Sequence, residues 1–145
     1  MKIAFYKGTR KGLAGIYNRG VRFVTKGKYS HCEVIFSDGL SASASFADGG
    51  VRFKRIDYSD LNWDFIEIDD KFEEASRKWF EEHEGLGYDL IGNLHFFLPM
   101  IGDNRYKWSC AESIAASLYI YDSWRIHPNS LYSLLKSFYA IDKRN

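Results

Sequence analysis

Three residues carry the side chains that nucleophilic chemistry needs. His31 and Cys32 are adjacent at the start of "HCEVIF", and Cys110 lies far downstream in "WSCAESIAASL". Ser109-Cys110-Ala111-Glu112 fits the capping box S-x-x-E ahead of an apolar run. The match predicts Ser109 as N-cap, Cys110 as the first helical residue, and Glu112 reaching back to the Ser109 amide. A helix N-terminus presents unpaired N–H groups and partial positive charge, which favour thiolate over thiol. A cysteine there also has its own backbone N–H available for a developing oxyanion. Without chemistry, Cys110 is a small buried hydrophobe, as most free cysteines are. Glu112 is assigned to capping.

A thiol nucleophile needs a base, and histidine has the matching pKa. His83 falls late in an amphipathic helical pattern, as a boundary residue. His95 lies in an apolar helical run, and His127 precedes Pro128 in a loop. His31 opens a strand after a polar loop, where a side chain can stand at a sheet rim facing a helix end. Alternation then sends Cys32 to the opposite face and returns Glu33 to that of His31. On this reading Cys32 is structural and is kept from Cys110 by the sheet. A zinc site built from His31, Cys32 and Cys110 fails on the same ground and on ligand count, so no metal or cofactor is expected.

The elements that must position these residues follow from periodicity. "KIAFYKG" reads as a strand and "GLAGIYNRGVRFVTKG" as a short helix running into a loop. "HCEVIF" and "LSASASF" flank Asp38-Gly39, a tight-hairpin signal. "GVRFKRI" and "WDFIEI" read as further strands. "DDKFEEASRKWFEEHEG" has helical spacing and stops at Gly85. "GYDLIGNLHFFL" reads as a helix ending before Pro99, "SCAESIAASLYIY" as another, and "HPNSLYSLLKSFY" as a last one opened by Pro128. Strands early and helices late describe one α+β domain over residues 1–145, an antiparallel sheet with helices on one side.

Composition allows such a core, with 46% hydrophobic and 17% aromatic residues. Twenty Lys and Arg against 19 Asp and Glu leave no net basic field to draw nucleic acid. The start lacks a secretory pattern. The longest apolar stretch, "IGNLHFFLPMIG", is broken by Asn93, His95 and Pro99, which argues against stable membrane insertion. Two cysteines make no disulfide framework, and a soluble cytoplasmic protein is expected.

Together, "YSHCEVIFSDG" and the later "WSCAESIAASL" resemble the circularly permuted NlpC-type papain-like cysteine hydrolases. That group includes the YiiX-like bacterial and phage proteins and, distantly, lecithin retinol acyltransferase. "GYD" at Gly87–Asp89 and "HPNSLYSLL" also look like YiiX-like elements. The resemblance implies a permuted papain-like fold, a small open barrel packed on helices. It also implies a thiol hydrolase, peptidase or amidase in type, with Cys110 as nucleophile and His31 as base. Peptide, amide or acyl-linked substrates follow from it, with acyl transfer or an idle binding module as alternatives. In the family a third polar residue stands about a dozen positions after the histidine. Here that position is Ser43, where relatives commonly carry His or Glu.

Hairpin register bears on that third residue. A three-residue loop, Ser37-Asp38-Gly39, pairs Glu33 with Ser43 and His31 with Ser45, all on one face. A two-residue turn would put Ala42, Ala44 and Phe46 there instead. We favour the three-residue loop, which makes Glu33 a second candidate partner for His31, close enough to raise its pKa. Arg52, Lys54 and Arg55 follow on the next strand. They are assigned to the solvated face of an edge strand, with a substrate-carboxylate contact as the alternative for Arg52 or Lys54.

Overall fold

The computed structural model describes residues 1–89 and 106–142, with side chains as far as Phe138. Alternating apolar positions build the centre of the sheet. In β1 (Lys2–Tyr6), Ile3 and Phe5 enter the main core, while Ala4 and Tyr6 turn to the opposite face and join Trp63. β2 (His31–Ile35) lies antiparallel to β1, and β5 (Trp63–Glu67) pairs with the other edge of β1. β3 (Ser41–Ser45) and β4 (Gly50–Lys54) extend the sheet antiparallel on the far side of β2.

The β2–β3 hairpin has the expected three-residue loop. Leu40 O accepts from Phe36 N, Val34 pairs with Ala42, and Gly39 sits at φ +76°, a conformation that costs glycine little. Two short strands complete an open sheet of order β5-β1-β2-β3-β4-β6-β7. They are β6 (Gly87–Tyr88), antiparallel to β4, and β7 (Lys107–Trp108), parallel to β6. β4 is therefore an internal strand, which overturns its reading as an edge. Gly50 makes the junction possible: a Cβ there would lie 2.0 Å from Leu86 O. Gly87 and Tyr88 are strand rather than the predicted helix. The rest of that predicted helix, with His95 and Pro99, lies outside the described residues.

Among the described residues, four α-helices accompany this mixed sheet: α1 (Gly12–Thr25), α2 (Glu73–His83), α3 (Cys110–Ser117) and α4 (Pro128–Asp142). Phe80 of α2, Ala111, Ile114 and Ala115 of α3, and Leu131 and Leu135 of α4 share a core with Ile3, Phe5, Cys32, Val34, Ala42 and Val51. α3 packs directly over β2 and β3, and its small Ala and Ser side chains permit that close approach. The opposite face is covered in part by the segment joining β4 to β5. There Tyr58 OH meets Ser41 Oγ at 2.8 Å, and its ring packs edge-on against Trp63. Asn129, near the start of α4, ties α4 to the end of α1. Its amide donates to Thr25 Oγ1 and Tyr29 O, and its carbonyl accepts from Tyr29 N. No helix among the described residues is long and apolar enough to cross a membrane.

Candidate functional site

The α3 N-terminus forms as its sequence requires. Glu112 N donates to Ser109 Oγ at 3.3 Å, and Ser109 N donates to Glu112 Oε2 at 3.1 Å, a complete capping box. Cys110 is the first helical residue and 3% exposed.

What carries this helix end to His31 is a split in the sheet. Hydrogen-bonded pairing of β2 with β3 stops at Val34–Ala42. Beyond it, Ala44 N donates to Ser113 Oγ of α3, and Ser43 Oγ donates to Cys32 O at 2.8 Å. Side chains thus take backbone groups that a continued ladder would have paired, so none is left as a costly buried orphan. Into this opening comes the Cys110 sulfur, which also accepts the Cys32 backbone N–H.

Alternation along β2 holds, but the assignment of faces does not. Cys32 lies on the helix-covered face, in the same core as Cys110, and each thiol shifts the other's titration. The expectation that the sheet separates them is overturned. His31 and Glu33 point to the other face, and His31 reaches Cys110 because it stands at the strand's first residue, beside the split. Among the described residues, no group of three His, Cys, Asp or Glu side chains is arranged to hold a metal ion.

His31 Nε2 lies 2.6 Å from Glu33 Oε1, which leaves Nδ1 for the sulfur. Glu33, fully buried, is gripped by both Arg52 terminal nitrogens, at 2.8 Å to Oε2 and 2.5 Å to Oε1. Arg52 Nε in turn donates to Asp48 Oδ2 at 2.9 Å, and Lys54 Nζ donates to Asp48 Oδ1. The reach from Arg52 to Glu33 depends on Ser43. Ser43 pairs with Arg52, and the hairpin register carried one step further sets Glu33 opposite Ser43. A serine is small enough for the guanidinium to pass over it. Ser43 is thus placed in the row as foreseen, but its hydroxyl bonds to backbone and not to His31.

Electrostatics follow this chain of charges. Burial pushes His31 down, but the charges and hydrogen bonds of Glu33 and Cys110 outweigh it and raise His31 to about 9. Burial pushes Glu33 up, and Arg52 and His31 more than reverse this, lowering it to about 2. The Cys32 thiol donating to its sulfur, aided by His31 and the Cys32 backbone N–H, holds Cys110 well below an ordinary thiol despite burial. Cys32 moves the opposite way, raised by burial and by its contact with Cys110. A thiolate beside an imidazolium is the arrangement these shifts favour.

α1 closes the site from outside the sheet. Tyr17 OH meets Tyr88 OH at 2.6 Å, and the Tyr17 ring stacks on Phe46. Burial and the charge on Cys110 both raise the Tyr17 phenol. A narrow cleft beside His31 is lined by Arg10, Tyr17, Asn18, Ser30, Phe46 and Tyr88. Ser30 Oγ is buried there without a hydrogen-bond partner among the described residues.

No protein-family model matches this sequence, and no curated protein matches it at a significant level.

Two contributions escaped the sequence. Arg52 could have been found by extending the hairpin register across the next turn to β4. The side of the sheet that Cys32 occupies carried no such signal, since alternation separates faces without saying which one a helix will cover.

Proposed function

We propose that the chain is a cysteine-nucleophile hydrolase of permuted papain-like type, acting on an amide, ester or thioester carbonyl. What supports this most is the continuous chain from the Cys110 thiolate at a helix N-terminus through His31 and Glu33 to Arg52. In this reading Cys110 Sγ attacks the carbonyl carbon, and the carbonyl electrons move onto oxygen. That oxyanion is held by the Cys110 backbone N–H. His31, entering as imidazolium, protonates the departing amine, alkoxide or thiolate as its bond to carbon breaks. A water, deprotonated by the now neutral His31, then attacks the thioester, releasing the acid and restoring the Cys110 thiolate beside the His31 imidazolium. Glu33 is the third residue, orienting the ring and stabilising imidazolium with a full charge, which Ser43 cannot do. The Ser30 hydroxyl is a spare hydrogen-bonding group for a substrate in the cleft.

Iodoacetamide labelling at mildly acidic pH tests the reading. Cys110 is expected to alkylate much faster than Cys32 and to slow sharply in His31→Ala; equal, sluggish labelling of both thiols overturns it. One observation favours a second reading, a binding module without turnover. Cys110 and His31 are only 3% and 7% exposed, so the site must open before any substrate reaches them. An inert Cys110 in labelling would select that reading.

A further inference from the structure

α1 is amphipathic in the wrong sense for a helix that packs only on its own protein. Its fully buried residues are Gly15 and Asn18, and Asn18 Oδ1 accepts from Arg10 N. Half-buried Arg22 also turns inward, donating to the Lys7 and Gly8 carbonyls at 2.6 Å each. The large apolar side chains point out: Leu13, Ile16 and Phe23 are 76%, 60% and 84% exposed. Their spacing, with exposed Gly20 between the last two, keeps them on one face of the helix.

Charge indicates what would cover that face. Eight of the chain's 20 Lys and Arg fall within residues 1–32, which contain none of its 19 Asp and Glu. The balance of the whole chain hides this asymmetry. Lys7 and Lys28 are spent on Asp64. Lys11 and Lys26, at the two ends of α1, and Arg19, beside the apolar stripe, are exposed and have no ion-pair partner among the described residues. A short apolar stripe bordered by unpaired cations suits a surface that is apolar below and anionic above, which is the headgroup boundary of an acidic bilayer.

We propose that the outward face of α1 docks on anionic lipid membranes, with Leu13, Ile16 and Phe23 inserted among the headgroups and Lys11, Arg19 and Lys26 at the phosphates. This is peripheral docking with no span, and it stands whether or not Cys110 turns over a substrate.

The test is co-sedimentation of the full chain with vesicles of phosphatidylcholine containing roughly one-third phosphatidylglycerol, against pure phosphatidylcholine. Binding is expected to be at least about tenfold tighter to the anionic vesicles and to weaken with salt. A Leu13→Ser/Ile16→Ser/Phe23→Ser variant with unchanged circular dichroism and Tm should lose at least about tenfold in affinity. Should that variant misfold, Lys11→Gln/Arg19→Gln/Lys26→Gln supplies the arm, with selectivity for anionic vesicles expected to vanish. No binding to anionic vesicles overturns the proposal. So does binding that ignores both variants, or self-association through the α1 stripe that leaves vesicle affinity untouched by the serine changes.

Discussion

α3 and α1 both border His31, and they are built on opposite principles. α3 buries nearly every residue, begins with a complete capping box, and uses Ser113 to hold the backbone of β3. α1 turns its polar side inward, has no side-chain N-cap bond, and presents its large apolar residues to the outside. The first helix is fixed by the fold and fixes Cys110. The second follows a pattern that the rest of the described residues does not explain, and the membrane docking proposed for it would account for that pattern. Precision at the site and adaptability at its cover are thus divided between two helices.

The largest effect that sharpens this contrast is expected at Cys110. Cys110→Ser should abolish rapid alkylation and any hydrolysis while leaving the fold intact by circular dichroism, as no comparable change in α1 would.

Next comes the buried charge chain that serves the α3 side. Arg52→Ala strands the Glu33 carboxylate in the interior and should cost roughly 3–5 kcal/mol in urea unfolding. Ser113→Ala leaves Ala44 N buried without its acceptor and should cost about 1–3 kcal/mol. By contrast, single Leu13→Ser, Ile16→Ser or Phe23→Ser changes should stay within about 0.5 kcal/mol of the parent. A loss at α1 as large as that at Ser113 would break the comparison.

The same buried charges also set a pH dependence. His31 is raised from 6.5 to about 9 by folding, so its contribution is full below pH 6.5 and is lost as pH rises through about 9. Glu33 is lowered from 4.5 to about 2, so its contribution is full above pH 4.5 and is lost as pH falls through about 2. Thermal melts should therefore decline on both sides of that window, and His31→Gln should flatten the alkaline side. Glu33→Gln removes the main charge raising His31, and the alkaline limb of Cys110 alkylation should move to lower pH. Cys32→Ala removes the thiol that donates to Cys110, so labelling at acidic pH should slow.

Sequence reasoning reached the α3 side far better than the α1 side, for physical reasons. The three-residue hairpin loop and the capping box are local: a glycine at positive φ and a Ser-x-x-Glu spacing each determine a few hydrogen bonds. From them came the shared face of His31, Glu33 and Ser43 and the helical position of Cys110. Arg52 enters through a second strand pairing, and pairing errors accumulate from strand to strand. β6 and β7 are two residues each, too short to show alternation. Cys32 was put on the wrong side because a period of two carries no sign. α1 showed its helical spacing readily, but a spacing cannot say which face turns inward, and there the polar one does.

The split between β2 and β3 has a consequence in time as well as in space. Until α3 arrives, Ala44 N and the Cys32 N–H lack the partners they have in the folded protein, and Cys110 lacks every group that makes it acidic. During synthesis the strand carrying His31 emerges long before the helix carrying Cys110. A nascent or misfolded chain therefore holds two ordinary thiols, and Cys110 is lowered below an ordinary thiol only when the seam is sealed. On the proposed function, activity would itself certify correct folding.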